Sequence, residues 1–212
     1  MSRPSCAIES GEIHVWLADL RRLPRGSSEA FVREVLSAYI GEVLQSSDFA
    51  IDRRGKPRLP SSHLEFNLTH SGERAALAVA TRTPVGIDIE TIRTARDPLA
   101  LARRFFAPEE AQELAVMPPD RRDRAFLTVW TRKEAFVKGV GVGLSGHLGR
   151  FRVSCDPDLQ ARLLAVDWDP NLARQWQLRD LRLAEGWIGA LAVGSPIDPQ
   201  VTIRTWPIAD GR

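Results

Sequence analysis

The chain has 212 residues, 43% hydrophobic and 26% charged, with a formal net charge of +2. That length can bury one large core or two small ones, and a charge so near zero argues against a nucleic-acid-binding module. Its two cysteines, Cys6 and Cys155, stand too far apart for metal-ligand spacing. No apolar run approaches the roughly 20 residues that cross a bilayer, and residues 1–10 lack the apolar centre of a signal peptide, so a cytoplasmic protein with no membrane partner is expected.

In chain order, Ile13, Val15 and Leu17 alternate with His14 and Trp16 as in a half-buried strand. Leu23-Pro24-Arg25-Gly26 interrupts it, and Ser27 or Ser28 can cap a helix with apolar positions Phe31, Val35, Leu36, Tyr39, Ile40, Val43 and Leu44. Short strands follow at Phe49 to Ile51 and through Leu64, Phe66 and Leu68, separated by the turn residues Arg53 to Pro57. Ala75 to Ala80 and Val85 to Ile89 are expected to pair across Thr81-Arg82-Thr83-Pro84. Helices are predicted over Leu99 to Phe106, Pro108 to Met117 and Arg121 to about Gly139, the last ended by Gly139, Gly141, Gly143 and Gly146. The remainder predicts strands at Arg150 to Ser154, Gln175 to Leu183, Trp187 to Val193 and Val201 to Trp206, with a helix over Leu159 to Ala165. Each half therefore holds a long helix and mostly sequential strands, an α+β pattern. Two similar halves are expected, residues 1–85 and 86–212.

Four features carry candidate chemistry. In Val85-Gly86-Ile87-Asp88-Ile89-Glu90, the two carboxylates fall on one face of a strand. Alone this suits a solvent-facing pair better than a site, but oxygen ligands so placed also suit magnesium. In Trp130-Thr131-Arg132-Lys133-Glu134-Ala135-Phe136-Val137-Lys138, residues 130, 134 and 138 share a helix stripe. A modest Glu134–Lys138 ion pair is the plain reading; a partly buried acid and ammonium beside Trp130 could instead serve as metal ligand or base and as phosphate clamp. His70 falls at a strand end in Phe66-Asn67-Leu68-Thr69-His70-Ser71-Gly72, and Gly55-Lys56-Pro57-Arg58 offers two cations. Further basic clusters lie at Arg21, Arg22 and Arg25; Arg53 and Arg54; and Arg121, Arg122 and Arg124.

Taken together, Val85 to Glu90 followed by Trp130 to Lys138 resembles the 4'-phosphopantetheinyl transferase superfamily. Gly55-Lys56-Pro57, Phe66 to Ser71, Arg104-Phe105-Phe106 and Lys138 to Leu144 support it in the expected order. The length, and Glu90 two residues past Asp88, look like the monomeric, pseudo-twofold (Sfp-like) class. The resemblance implies two pseudo-twofold-related subdomains, each a long helix on a mostly antiparallel sheet. It implies magnesium (or manganese) held by Asp88, Glu90 and Glu134, with Asp88, Glu134 and Lys138 as catalytic residues, Glu134 as base and Lys138 on the pyrophosphate. Coenzyme A as co-substrate would meet Lys56, Pro57, Arg58, Thr69, His70, Ser71 and Lys138. The class usually places an arginine from the first long helix on the 3'-phosphate. Only Arg33 is offered there, with Arg21, Arg22 or Arg25 as substitutes.

The implied partner is an acyl, peptidyl or aryl carrier protein, docked on the basic and apolar surface from Arg121 to Phe136. The implied activity is that of a holo-[acyl-carrier-protein] synthase. Competing readings are a non-catalytic coenzyme A or carrier binder and a magnesium-dependent phosphohydrolase.

Overall fold

The computed structural model describes residues 6–22, 27–53, 55–92, 97–142 and 148–207. Arg25, Arg54, Gly143, Leu144 and Gly146 lie outside the described residues, as does the side chain of Arg22. The protein is a mixed α and β fold with two principal sheets.

The first sheet runs β11-β1-β5-β4 and comprises β1 (Glu12–Asp19), β4 (Leu64–Ser71), β5 (Arg74–Thr81) and β11 (Gln200–Thr205). The second runs β6-β10-β9 and comprises β6 (Val85–Thr91), β9 (Gln177–Asp180) and β10 (Trp187–Val193). Small two-stranded ladders join β2 (Ala50–Ile51) to β3 (Pro57–Arg58) and β7 (Phe151–Val153) to β8 (Leu163–Val166). Among the described strands only β1 and β11 pair in parallel, so the segment 86–212 returns one strand to the first sheet.

Layering follows from which faces are apolar. Helix α1 (Ser27–Ile40) repeats apolar residues at the spacing that makes one face. Phe31, Val32, Val35 and Leu36 bury against Trp16, Leu77 and Val79 of the first sheet. The opposite face of that sheet, Ile13 and Val15 with Ala76, Ala78 and Ala80, packs on Val85, Ile87, Ile89, Leu191 and Val193 of the second. Three alanines in a row on β5 leave room for the sheets to close. Helix α4 (Pro119–Val140) covers the outer face of the second sheet, with α2 (Pro98–Phe105) and α3 (Pro108–Val116) beside it. Each of these three helices has Pro in its first turn, where no amide partner is lost. Gly141, at φ 73°, closes α4 in the left-handed conformation.

The contact of α4 with β6 is so close that a Cβ on Gly86 would lie 2.0 Å from the Ala135 carbonyl oxygen. A glycine is therefore required there.

Two sequence expectations are corrected. Strands β5 and β6 do not pair: each belongs to a different sheet, and residues 82–84 carry the chain from one layer to the other. Both strands are buried on both faces, a pattern that cannot distinguish pairing from stacking. The helix expected over Leu159 to Ala165 is instead an extended approach to β8, paired with β7 through a bulge at Arg152 and Val153. Its apolar spacing mimics a helical turn, but the ladder takes the backbone groups. A four-residue helix, α5 (Leu172–Gln175), follows.

Candidate active site

Strands β4 and β6 are the edges of their sheets and run side by side, joined by side chains. Lys56, 8% exposed, donates its ammonium to the Val85 carbonyl oxygen at 3.1 Å. The Ile87 amide donates to Asn67 Oδ1 at 2.9 Å. Thr69 donates to Asp88 Oδ1 at 2.9 Å and Ser71 to Glu90 Oε2 at 2.8 Å.

Helix α4 closes the site from the other side. Lys138, in its last turn, places its ammonium 2.6 Å from Asp88 Oδ1 and 3.1 Å from Thr69 Oγ1. The surface helix pair with Glu134 thus gives way to an ion pair across to β6. Trp130 is half-buried against Phe105, Phe106 and Phe126, which holds this stripe of α4 on the protein body.

Electrostatics single out the acids. Burial pushes the Glu134 carboxyl up to about 7, and the negative charges of Asp88 and Glu90 reinforce the shift against Lys138. Burial also raises Asp88, opposed by the Lys138 ammonium and the Thr69 hydroxyl. Asp88 Oδ2 is buried without a hydrogen-bond partner, an arrangement that costs free energy unless something else meets it.

The structure therefore gathers Asp88, Glu90, Glu134, Lys138, Thr69 and Ser71. It does not bring the other expected residues to the same point. Burial lowers the Lys56 ammonium, whose bond is to β6 backbone. Arg58 is exposed and paired with Asp52 and Glu65. Pro57 and His70 are exposed, His70 on the opposite strand face from Thr69. Pro57 and Arg33 line a separate cleft of about 450 Å³ with Val32, Phe49, Phe66 and Leu68.

The Arg121 to Arg124 cluster is held internally: Arg121 pairs with Asp156 and Asp158, Arg124 with Asp158, and Arg122 donates to the Leu114 and Met117 carbonyls. Sequence reasoning missed Glu110. Its carboxylate accepts from the Ala107 and Val153 amides and pairs with fully buried Lys133 at 2.7 Å. An acid three residues after Ala107, with Pro108 opening the helix, was the available signal.

The acid set fits a divalent cation in its chemistry. Three carboxylates against the one ammonium of Lys138, which pairs with Asp88, leave an excess of negative charge that a hard, oxygen-seeking dication offsets, and Asp88 Oδ2 has no hydrogen-bond partner. Among the described residues the side chains are not drawn together into a three-ligand cluster.

Such a junction, acids and an ammonium beneath a glycine-tight helix contact, coincides with the segment shared with known proteins. A model of the 4'-phosphopantetheinyl transferase superfamily matches residues 84–192. The 4'-phosphopantetheinyl transferase HetI of Nostoc sp. is 33% identical over 177 residues, covering 82% of this chain and 70% of that protein. The 4'-phosphopantetheinyl transferase psf-1 of Bacillus pumilus is 37% identical, over 72% of this chain and 64% of its own. The holo-[acyl-carrier-protein] synthase of Thermotoga maritima overlaps 54% of this chain and 64% of its own, at a TM-score of 0.41 and 23% identity. The chain belongs to the 4'-phosphopantetheinyl transferase superfamily.

Proposed function

We propose that this protein transfers 4'-phosphopantetheine from coenzyme A to a serine of an acyl, peptidyl or aryl carrier protein, as a holo-[acyl-carrier-protein] synthase does. The observation that carries the reading is the convergence of Asp88, Glu90, Glu134 and Lys138 at the β4–β6 junction, in a chain of this superfamily. In the transfer, the serine oxygen forms a bond to the pantetheine-bearing phosphorus of the coenzyme A pyrophosphate. The bond from that phosphorus to the bridging oxygen breaks, and 3',5'-ADP leaves.

Asp88, Glu90 and Glu134 would hold magnesium or manganese, which when bound supplies charge neutralisation for the pyrophosphate. The Lys138 ammonium offers a further positive charge to the phosphates. Glu134 would also accept the serine proton, directly or through a water. Lys56, Pro57, Arg58 and His70 are assigned to the nucleotide end of coenzyme A, with the Pro57–Arg33 cleft beside them. The division at residues 85 and 86 marks two pseudo-twofold-related subdomains. The protein acts as a cytoplasmic monomer, with neither nucleic acid nor membrane as partner.

Mass spectrometry of apo-carrier proteins incubated with the protein, coenzyme A and magnesium tests this. A phosphopantetheine mass gain is expected, abolished by Asp88→Ala or Glu134→Ala. Near-normal transfer by Glu134→Ala at ordinary magnesium would defeat the mechanism.

A further inference from the structure

Alternate residues of a strand share a face, so Asn67, Thr69 and Ser71 form one row on the edge of the first sheet. That row meets Ile87, Asp88 and Glu90 on the edge of the second, at 2.9, 2.9 and 2.8 Å. The direction of the middle contact is set by chemistry. An ammonium only donates and an ionised carboxylate only accepts. Thr69 Oγ1 touches both, Lys138 Nζ at 3.1 Å and Asp88 Oδ1 at 2.9 Å, so its single proton goes to Asp88 and it accepts from Lys138. The residue is 5% exposed, so its hydroxyl is held between these two partners. With Oδ1 receiving both Thr69 and Lys138, the carboxylate is turned so that Oδ2 is the oxygen without a partner.

We propose that Thr69 and Ser71 are positioning residues: their hydroxyls hold Asp88 and Glu90 in the orientation that receives a divalent cation. The cation site is then built across both sheets. Its affinity depends on a strand that lies before the superfamily-matched segment 84–192. This rests on the transferase reading, which supplies the cation.

The test is titration of the full chain with Mn²⁺, with and without coenzyme A, following free Mn²⁺ by electron paramagnetic resonance. Groups that orient a ligand by hydrogen bonding typically change metal affinity 10- to 100-fold when removed. Thr69→Val should weaken Mn²⁺ binding by roughly that factor. Thr69→Ser, which restores the hydroxyl, should return to within about threefold of the parent. Ser71→Ala should shift in the same direction by less, and it carries the test alone should Thr69→Val not fold. Asn67→Ala removes a contact of the same row that reaches only backbone, and it should leave Mn²⁺ affinity near the parent value.

Parental Mn²⁺ affinity in Thr69→Val, with the loss confined to coenzyme A binding, overturns the proposal. So does an equal Mn²⁺ loss in Asn67→Ala, which would make the row merely structural. A parent protein that neither binds Mn²⁺ nor modifies a carrier fails at the transferase reading, and the inference falls with it.

Discussion

Helices α1 and α4 each lie on the outer face of a sheet, yet they bury different chemistry. Beneath α1 the buried side chains are Phe31, Val32, Val35, Leu36 and Ala38, with Ser37 the buried polar one. Beneath α4, Arg132 and Lys133 are fully buried and Glu134 is 6% exposed, three charged residues in succession. Burying a charge costs several kcal/mol unless partners replace water. Arg132 has them in Asp180, Ser154 and the Leu159 carbonyl. Lys133 has Glu110, the Leu148 carbonyl and the face of Phe151 at 4.2 Å. Glu134 instead sits among the like charges of Asp88 and Glu90. The comparison separates three kinds of burial: apolar burial that stabilises, charge burial that ties elements together, and charge burial left opposed, which marks a functional site.

Four substitutions sharpen this contrast. Lys133→Met leaves Glu110 buried without its cation and should cost about 3–5 kcal/mol, read by denaturant unfolding. Adding Glu110→Leu should recover much of that loss, and failure to recover would show that Lys133 does more than answer Glu110.

Leu36→Ala, on α1, should cost about 2–5 kcal/mol through the cavity it leaves. Transfer per folded molecule should hold. A variant that folds fully yet loses transfer would break the distinction between the two helices.

Smallest is Glu134→Gln in metal-free protein. An acid raised from 4.5 to about 7 on folding holds its proton more tightly in the folded state. Its contribution is complete below the unfolded value and is lost as pH rises through the folded one. The variant should therefore match the parent near pH 4 and exceed it near pH 8, by no more than about 3 kcal/mol. Thermal melts at the two pH values check it; an unchanged difference would show that Glu134 is not opposed.

Much of the site was legible because its determinants are local. Period-two geometry alone put Asp88 and Glu90 on one strand face, and the order of two motifs joined them to Glu134 and Lys138. Thr69 and Ser71 were visible as neighbours of His70, but their partners were not. Nothing within β4 announces that its hydroxyls meet carboxylates 19 residues further on.

The same limit explains the misread elements. Leu163 and Val166 are both buried at a helix-like spacing, and only pairing with β7 makes that stretch a strand. Likewise, β5 and β6 look alike from composition, and only the stacking of two sheets tells that they face rather than pair.

What the amino-acid sequence determined by itself was helices α2, α3 and α4, each opened by a proline and the last closed by Gly141, together with the acids and lysine of the site. These depend on backbone preferences and side-chain periodicity that act within a few residues. The tertiary structure alone decided which edge strands meet, which cation answers each buried acid, and why Gly86 admits no side chain. Those outcomes depend on contacts between residues distant in the chain, where packing and desolvation rather than local propensity set the energy.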